Sequence, residues 1–519
     1  MFSSNQRGNK PSSHQDPTVG EREAFATLSL VIALACAAQF NRLKHFYYEN
    51  FETIWFVLWL IALAGVAVAV RRHKKKSGNE FAVRVRALKH LWTAKKGIFI
   101  ARMLDGGPLF MPDELRCGHV QIVGTTGRGK TESVILPWLV RDIRQGKSAL
   151  LIDGKGDPTL FAATRELVEL DSDRIRVFDL GNLEKSCTTN PLEHGSPQQI
   201  TDRLFATFDF DDSFYRGVQY EIAGYVIALL CETKDCATFR DIHRCLTDDE
   251  FLSDLVGKSE QEVLKRRLSR YLEISQKERT ANTMGLTSQL GPFAVGEIAP
   301  YVNGPVDGRD YETVAASLTS PGQTVFVVLL PTLKYQKLGR QLGKLLLQEL
   351  AWAVGERASN DEAATNFMPV FLDEFSAFAY LGFEAILNKA RSSHVALHLS
   401  HQSLGDLSLV SPDFARIVNT NTNVKCLLGL NDPDTADFYA RHIGTRTAEK
   451  VTERARDEGF LIGRARTGEM SVREVESYKI HPNDLKNFTR GRGVLHVPTP
   501  SGNVTEVVQF ARAGEEESV

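Results

Sequence analysis

Short apolar runs recur along the chain from about residue 119 onward. Most of them are apolar throughout instead of alternating between apolar and polar residues. Such runs are typical of strands that are covered on both faces, as in a parallel sheet flanked by helices. The pattern therefore predicts an α/β fold with strands at 119–124, 148–153, 174–180, 324–330, 369–373, 395–400, 424–430 and 493–497.

A long central segment shows a different pattern. Between about residues 197 and 300, apolar residues recur at helical spacing, as in FYRGVQYEIAGYVIALLCE and EQEVLKRRLSRYLEISQKER, and no strand-like run interrupts them. We predict that 197–300 form an all-α domain inserted into the sheet-containing domain. The two parts of that domain are then 77–196 and 301–510, and within the first part we expect 79–115 to be an extended approach to the sheet.

Both ends of the chain differ from its body. Residues 1–23 are polar and rich in Ser, Gln, Asn and Pro, which predicts a disordered cytoplasmic N-terminus. Residues 511–519 end in AGEEESV and form a short acidic tail.

Two strongly apolar segments lie near the N-terminus. Neither 24–40 nor 54–70 contains a charged residue, and RRHKKK follows at 71–76. A basic stop and the aromatic residues at 46–48 are typical of the ends of membrane spans. We predict that 24–76 form a two-span anchor in the bacterial inner membrane, with the N-terminus and main body cytoplasmic. A pair of buried core helices is the alternative, whereas a cleaved signal peptide fits poorly because a second span follows.

Composition and charge limit the kinds of partner that the protein can bind. The 519 residues are 43% hydrophobic, enough for several domains, and the net charge of −2 excludes a globally basic protein. Nucleic-acid binding would therefore depend on local basic patches. The densest basic stretch in the predicted cytosolic body is interrupted by Glu273 and Glu278, so it is either a DNA contact or an ordinary ion-paired helix. It consists of Lys265, Arg266, Arg267, Arg270, Lys277 and Arg279.

The seven cysteines show no paired spacing of metal ligands. Cys231, Cys236 and Cys245 could be combined with His243 into a zinc site, but their spacing is not usual for zinc ligands. Reduced thiols are the better interpretation.

A glycine-rich turn joins the first predicted core strand to a helical pattern. Residues 124–131 have the sequence GTTGRGKT, which satisfies GxxxxGK[ST]. In this motif, successive backbone N–H groups and the helix N-terminus bind phosphate oxygens. We predict that Lys130 reaches the β- and γ-phosphates of ATP and that the Thr131 hydroxyl ligates Mg²⁺. The remaining predicted nucleotide-binding residues are Gly124, Thr125, Thr126, Gly127, Arg128 and Gly129.

Two later strands end in polar residues that complete this chemistry. Asp373 and Glu374 directly follow an apolar run, and we predict that Asp373 ligates Mg²⁺ while Glu374 is the general base for the attacking water. Such a pair is a weak signal alone, but it becomes strong beside a phosphate-binding turn. Gln402 follows the next strand, where it either senses the γ-phosphate or faces solvent. We interpret His398 and His401 as structural.

At these residues the sequence resembles the type IV coupling proteins, the TraD/TraG family of conjugative DNA-transfer ATPases. The resemblance spans nearly the whole chain and rests on GTTGRGKT, LIDGKGD, VFLDEFSAF, LSHQSLGDL and IHPNDLKNFTRGRGVL. It implies two N-terminal spans, a RecA-like nucleotide-binding domain and an inserted all-α domain. It also implies a membrane-anchored homohexamer that uses ATP and Mg²⁺. Such a ring feeds relaxase-bound single-stranded DNA, or proteins, into a type IV secretion channel.

The resemblance extends to individual residues. It makes Lys130 and Thr131 the Walker A lysine and magnesium ligand, and Asp373 and Glu374 the Walker B carboxylates. Gln402 falls on the motif glutamine of the family.

One further residue follows from the resemblance, and one position departs from it. Arg391 falls where the family places an arginine that reaches the nucleotide of a neighbouring subunit. The family usually has DPKG followed by an acid, whereas this chain has DGKGD with Gly154 in place of proline. That change loosens the turn but keeps its charges.

Other functions stay open at the level of the sequence. An FtsK-like DNA translocase or a protein-only secretion ATPase would use the same motor, and a non-catalytic membrane receptor would have lost hydrolysis. The predicted helical insert favours a coupling protein, because an FtsK-like motor would be expected to carry a long linker and a separate DNA-reading domain. The intact motif residues argue against the receptor.

Overall fold

The computed structural model describes most of the chain after residue 81. The described residues are 82–92, 97–157, 174–210, 212–320, 323–359, 366–457 and 464–515, together with Gln39, Leu160 and Ala162. Contacts divide the chain into two units, Met1–Ala82 and Val83–Val519. Apart from Gln39, the predicted membrane spans lie outside the described residues, and none of the described helices is long and apolar enough to cross a membrane.

A large mixed sheet lies at the centre of the second unit. The described strands are β1 Gly97–Met103, β2 Pro108–Pro112, β3 Val120–Val123, β4 Ala149–Asp153, β5 Ile175–Asp179, β6 Val325–Leu329, β7 Met368–Asp373, β8 Val395–His401, β9 Val424–Leu427, β10 Thr445–Asp457, β11 Arg464–Tyr478, β12 Arg492–Thr499 and β13 Gly502–Phe510. Eleven of them form one sheet in the order β2-β1-β13-β12-β9-β3-β8-β7-β4-β6-β5. From β9 to β5 the strands are parallel, and β12, β13, β1 and β2 extend the sheet in antiparallel pairs.

Helices cover the sheet and fill the segment between β5 and β6. The described α-helices are α1 at 82–92, α2 Asp113–Arg116, α3 Leu136–Arg144, α4 Pro197–Thr207, α5 Ser213–Thr233, α6 Phe239–Thr247, α7 Asp249–Lys258, α8 Glu262–Glu273, α9 Gln276–Ala294, α10 Val314–Thr319, α11 Gln336–Ser359, α12 Glu384–Ala390, α13 Leu404–Ser408, α14 Phe414–Asn421, α15 Pro433–Ile443 and α16 Pro482–Asn487. A π-helical turn, Thr131–Ile135, precedes α3.

The uniformly apolar strands follow from burial on both faces of the sheet. All residues of β4 are buried, and they alternate between two cores. Leu150 and Ile152 belong to the core on one face, whereas Ala149 and Leu151 belong to the core on the other. Because neighbouring side chains of a strand point to opposite faces, a strand with a core on each side needs apolar residues at every position. The predicted α/β architecture is therefore confirmed for these strands.

The helical segment between β5 and β6 shares a core with the sheet. Its described residues contain seven α-helices, α4 to α10, and no strand. Leu230, Phe239 and Phe293 of these helices belong to the same buried cluster as Leu150 and Ile152 of β4. The helices consequently pack as a continuation of one face of the sheet.

The starts of these helices are set by local hydrogen bonds that the sequence encodes. A side-chain oxygen accepts a backbone N–H of the first turn at Ser196, Asp212, Thr238, Asp248 and Ser275. Such caps satisfy donors that have no partner within the helix, and each stabilises a helix by about 0.5–2 kcal/mol.

Two parts of the sequence interpretation are wrong or incomplete. The segment 79–115 is not simply extended, because it contains α1, the β1–β2 pair and most of α2. This antiparallel pair widens the sheet beside β13. The sequence interpretation also missed the paired strands β10 and β11, in which charged residues interrupt any apolar pattern.

Candidate active site

Four neighbouring parallel strands end at the same edge of the sheet. In the order β3-β8-β7-β4, each strand pairs with the next, so their carboxyl ends lie side by side. The glycine-rich turn at 124–131 follows β3, Gln402 follows β8, Asp373 ends β7 and Asp153 ends β4. Open α/β sheets bind their ligands at this edge. The fold therefore gathers residues that are distant along the chain.

The glycine-rich turn has the backbone conformation that phosphate binding requires. Gly127 and Gly129 have φ angles of 80° and 91°, in the left-handed region that favours glycine. The Lys130 ammonium is buried and donates a hydrogen bond to the Gly124 carbonyl oxygen at 2.6 Å. Burial is the main cause that lowers the pKa of Lys130. The lysine side chain therefore lies against the turn, where the negative charge of bound phosphate oxygens would offset the desolvation of its ammonium group.

The two predicted magnesium ligands lie next to each other. Thr131 Oγ1 donates a hydrogen bond to Asp373 Oδ2 at 2.6 Å, although the residues are 242 positions apart. The other carboxylate oxygen, Asp373 Oδ1, accepts the backbone N–H of Glu374 at 2.9 Å. A hydroxyl and a carboxylate are oxygen ligands of the kind that Mg²⁺ prefers. This pair therefore fits a magnesium ion bound together with a nucleotide.

The predicted base is held by the predicted sensor. Glu374 has φ 50°, a left-handed conformation that is uncommon for a non-glycine residue. Its Oε1 accepts a hydrogen bond from Gln402 Nε2 at 2.5 Å. Gln402 Oε1 in turn accepts a hydrogen bond from Thr126 Oγ1 at 3.1 Å. Gln402 consequently connects the glycine-rich turn to the carboxylate of Glu374.

Asp153 is a site residue that the sequence interpretation missed. It is buried at the end of β4, in register with Asp373 of β7. Its carboxylate accepts the backbone N–H groups of Lys155 and Asp157, both at 2.8 Å. Burial, and next the charge of Asp373, raise the pKa of Asp153 to about 7. The conspicuous LIDGKGD stretch was the signal, but only the pairing of β4 with β7 shows which carboxylate it faces.

The same stretch explains the glycine at the position where the family usually has proline. The Gly154 N–H donates to the Asp373 carbonyl oxygen at 3.0 Å, a bond that proline cannot form. A Cβ at this position would lie 2.9 Å from a ring carbon of Phe378. Gly154 therefore lets the turn after β4 pack against the segment that carries the Walker B carboxylates.

The sequence is similar to proteins of conjugative transfer and type IV secretion. The family model described as the TraM recognition site of TraD and TraG matches residues 368–489. The type 4 coupling protein DotL of Legionella pneumophila is 24% identical over 441 residues, covering 74% of this chain and 56% of DotL. The conjugal transfer protein TraG of Agrobacterium fabrum is 25% identical over 281 residues, covering 51% of this chain and 40% of TraG.

Solved structures share the fold. The conjugative coupling protein TrwB, in a form named TrwBdeltaN70, has a TM-score of 0.58 at 16% identity, covering 82% of this chain and 92% of that chain. The sequence and fold of this chain are therefore similar to those of type IV coupling proteins. VirB4 of Thermoanaerobacter pseudethanolicus has a TM-score of 0.53 at 12% identity, covering 80% of this chain and 97% of VirB4. These likenesses show a RecA-like α/β fold. The chain spans about half the length of the curated relatives that it matches.

Arg391 is the one predicted catalytic residue that the fold does not bring to this edge. It is exposed and directly follows α12, ahead of the first residue of β8. The amino ends of the parallel strands lie at the opposite edge of the sheet from the glycine-rich turn. Within one chain, Arg391 therefore lies away from Lys130 and Glu374, so a role at the nucleotide would require a neighbouring subunit and stays a prediction.

A segment late in the chain contacts the glycine-rich turn. Arg128 Nη1 donates to the Phe488 carbonyl oxygen at 3.0 Å, and the Gly491 N–H donates to the Arg128 carbonyl oxygen at 3.1 Å. Arg490 forms an ion pair with Glu132, the residue after Thr131. The sequence interpretation missed this contact because the two segments are separated by about 360 residues.

The two histidines of β8 are structural in this geometry. His398 is fully buried, with Nδ1 bonded to the Val370 carbonyl oxygen and Nε2 accepting from Arg116. His401 is also fully buried and bonds Gln121 and the Ser403 carbonyl oxygen. Burial lowers the pKa of His401 to about 4, so this side chain stays neutral near pH 7.

The predicted basic patch is not one continuous surface. Arg279 is buried and paired with Asp249, so it is unavailable to a ligand. Lys265, Arg266 and Arg270 remain on α8, where Lys265 lies 3.8 Å from Glu262. The ion-paired interpretation is thus correct for part of the patch.

Proposed function

We propose that this protein is an ATPase motor that moves relaxase-bound single-stranded DNA into a type IV secretion channel. The observation that carries the proposal is the hydrogen-bonded contact of Thr131 with Asp373 beside the Gln402–Glu374 pair. This arrangement combines two magnesium ligands with a carboxylate positioned as a base, at the edge where the phosphate-binding turn lies. TrwB has been solved in complex with ADP and Mg²⁺, which supports the same ligands here.

Each residue has a role that follows from its position. The backbone N–H groups of 127–131 and the Lys130 ammonium would bind phosphate oxygens, replacing the contact of Lys130 with Gly124. Thr131 and Asp373 would hold Mg²⁺, which neutralises charge on the phosphates. Glu374 would take a proton from, or orient, the attacking water. Gln402 would fix the direction of the Glu374 carboxylate.

The partners and location belong to the same proposal. Residues 24–76 would anchor the protein in the inner membrane by two spans, so that the body at 77–510 lies in the cytoplasm. The all-α domain at 197–300 would be inserted between the two parts of the RecA-like domain. A homohexamer would let Arg391 of one subunit reach the nucleotide of the next. The match of 368–489 to the TraM recognition model supports contacts with relaxosome proteins.

Measuring ATP hydrolysis by the purified full-length chain, with and without single-stranded DNA, tests the proposal. We expect hydrolysis that DNA stimulates, and a loss of about 100-fold or more in Lys130→Ala because charge on the phosphates is no longer neutralised. Lys258→Ala, which changes an exposed lysine of α7, is the matched control and should retain activity. Normal ATP turnover by Lys130→Ala would overturn the proposal that this protein is an ATPase motor. Stimulation by a secreted protein but not by DNA would favour a protein-only secretion ATPase.

A further inference from the structure

The loop between α16 and β12, residues 488–491, lies against the glycine-rich turn. A Cβ placed on Gly129 would be 3.2 Å from Arg490 Cγ and 3.3 Å from the Gly491 nitrogen. The loop is thus in van der Waals contact with the last glycine before Lys130. Gly491 has φ 79°, which allows the loop to turn at this point.

Arg490 differs from the other arginine of this contact. The Arg128 guanidinium donates to the Phe488 carbonyl oxygen and to Asn431, so it is used to fasten the loop. The Arg490 guanidinium pairs only with Glu132 among the described contacts, and both side chains are about half exposed, 54% and 55%. Exposed pairs of this kind contribute little to stability, so a stronger anionic partner can displace Glu132.

The position of Glu132 indicates which anion that partner is. Glu132 follows Thr131 directly and lies in the first helical turn after the glycine-rich turn. In GxxxxGK[ST] motifs, the backbone at this turn cradles the α- and β-phosphates. The guanidinium of Arg490 therefore lies beside the mouth of the phosphate site. Arginine binds phosphate through two parallel N–H groups, more strongly than it binds an exposed carboxylate.

We propose that Arg490 is a nucleotide-binding residue whose guanidinium exchanges Glu132 for phosphate oxygens of the bound nucleoside triphosphate. The proposal rests on the proposed function, because it requires the nucleotide site. Glu132 is then a counter-ion that competes with the nucleotide for Arg490. Removal of Arg490 should weaken nucleotide binding, whereas removal of the Glu132 charge should strengthen it.

The opposite signs distinguish this role from a structural one. If the ion pair only braced the glycine-rich turn, Arg490→Ala and Glu132→Gln would weaken nucleotide binding equally. The competition instead predicts that Glu132→Gln tightens binding, and by a larger factor when Arg490 is present than in the Arg490→Ala background. The double variant separates this coupling from the simple loss of a negative charge near the phosphates.

The test is the dissociation constant of a fluorescent ATP analogue for the detergent-purified full-length chain with Mg²⁺. We expect about 10- to 100-fold weaker binding for Arg490→Ala and a smaller loss for Arg490→Lys, which retains the charge. Arg416→Ala is the matched control, because Arg416 of α14 forms an exposed pair with Asp413 and neither residue is among the contacts of the glycine-rich turn. This control should bind as the wild type does.

Three outcomes would overturn the inference. Unchanged binding by Arg490→Ala would exclude contact with the nucleotide, and weaker binding by Glu132→Gln would show a structural brace. Wild-type protein that binds no nucleotide would instead overturn the proposed function, and this inference with it. Glu132→Gln keeps the shape of the side chain. Its nucleotide dissociation constant therefore tests the inference even if Arg490→Ala lowers the yield of folded protein.

Discussion

Replacing Gln402 by alanine should separate ATP binding from ATP hydrolysis. Its amide donates to Glu374 Oε1 and accepts from the Thr126 hydroxyl. The bond from Gln402 is the only one made by the Glu374 side chain among the described hydrogen bonds. Without it, the carboxylate would rotate freely and spend less time directed at the attacking water.

The magnitude follows from the kind of bond that is lost. A hydrogen bond to a charged group contributes about 1.5–3 kcal/mol, which corresponds to roughly 10- to 150-fold in kcat if it acts mainly in the transition state. Binding should change by less than about threefold, because Lys130 and the N–H groups of 127–131 are untouched. The bond to Thr126 is exposed and neutral, so it adds little.

The assay combines phosphate release at saturating ATP with a direct binding measurement on the same protein. Gln261→Ala is the control, because Gln261 is exposed just before α8 and its side chain lies outside the active-site contacts. A kcat within twofold of the wild type would refute the view that Gln402 positions Glu374. An equal loss in binding and kcat would show that Gln402 acts on ATP itself.

Three further predictions address other residues. Glu374→Gln should bind ATP normally but release phosphate about 100-fold more slowly or worse, as measured by single-turnover kinetics; normal turnover would place the base elsewhere. Arg391→Ala should lower hydrolysis by roughly 1,000-fold, and mixing it with Lys130→Ala should restore part of it, whereas full activity of Arg391→Ala alone would exclude a role in trans. Burial raises the pKa of Glu349 to about 7 from 4.5 in the unfolded chain, so the free energy of unfolding should fall as the pH rises between these values. Glu349→Gln stays neutral, so its free energy of unfolding should exceed that of the wild type by up to about 3 kcal/mol at pH 8 but by little at pH 4.5. Thermal unfolding of both proteins at the two pH values measures this difference, and an equal difference at both would contradict the prediction.

The elements that the sequence predicted are those with local signals. The core strands were predictable because burial on both faces makes consecutive residues apolar, as in residues 149–152 of β4. The glycine-rich turn was visible because phosphate binding needs its residues at fixed spacing within eight positions. Asp373 and Glu374 became convincing only beside that turn.

What the sequence could not show depends on the order of strands. Asp153 faces Asp373 because β4 pairs with β7, and these strands are separated by more than 200 residues in the chain. Gln402 was predicted to sense phosphate or face solvent, but its contact with Glu374 requires β8 to lie between β3 and β7. The antiparallel extension by β1 and β2 depends on the pairing of β1 with β13, which lies about 400 residues later in the chain.

The glycine-rich turn is held on two sides by segments that are distant in sequence. On one side, Thr126 donates a hydrogen bond to Gln402, which in turn donates one to the Glu374 carboxylate. On the other side, Arg128 donates a hydrogen bond to the loop at 488–491, and Arg490 of this loop forms an ion pair with Glu132. The contact through Gln402 includes the proposed base, Glu374, whereas the contact through Arg490 lies beside the phosphate site. Substitutions on the two sides should therefore change different quantities, kcat at Gln402 and the nucleotide dissociation constant at Arg490, although both residues act through the same turn.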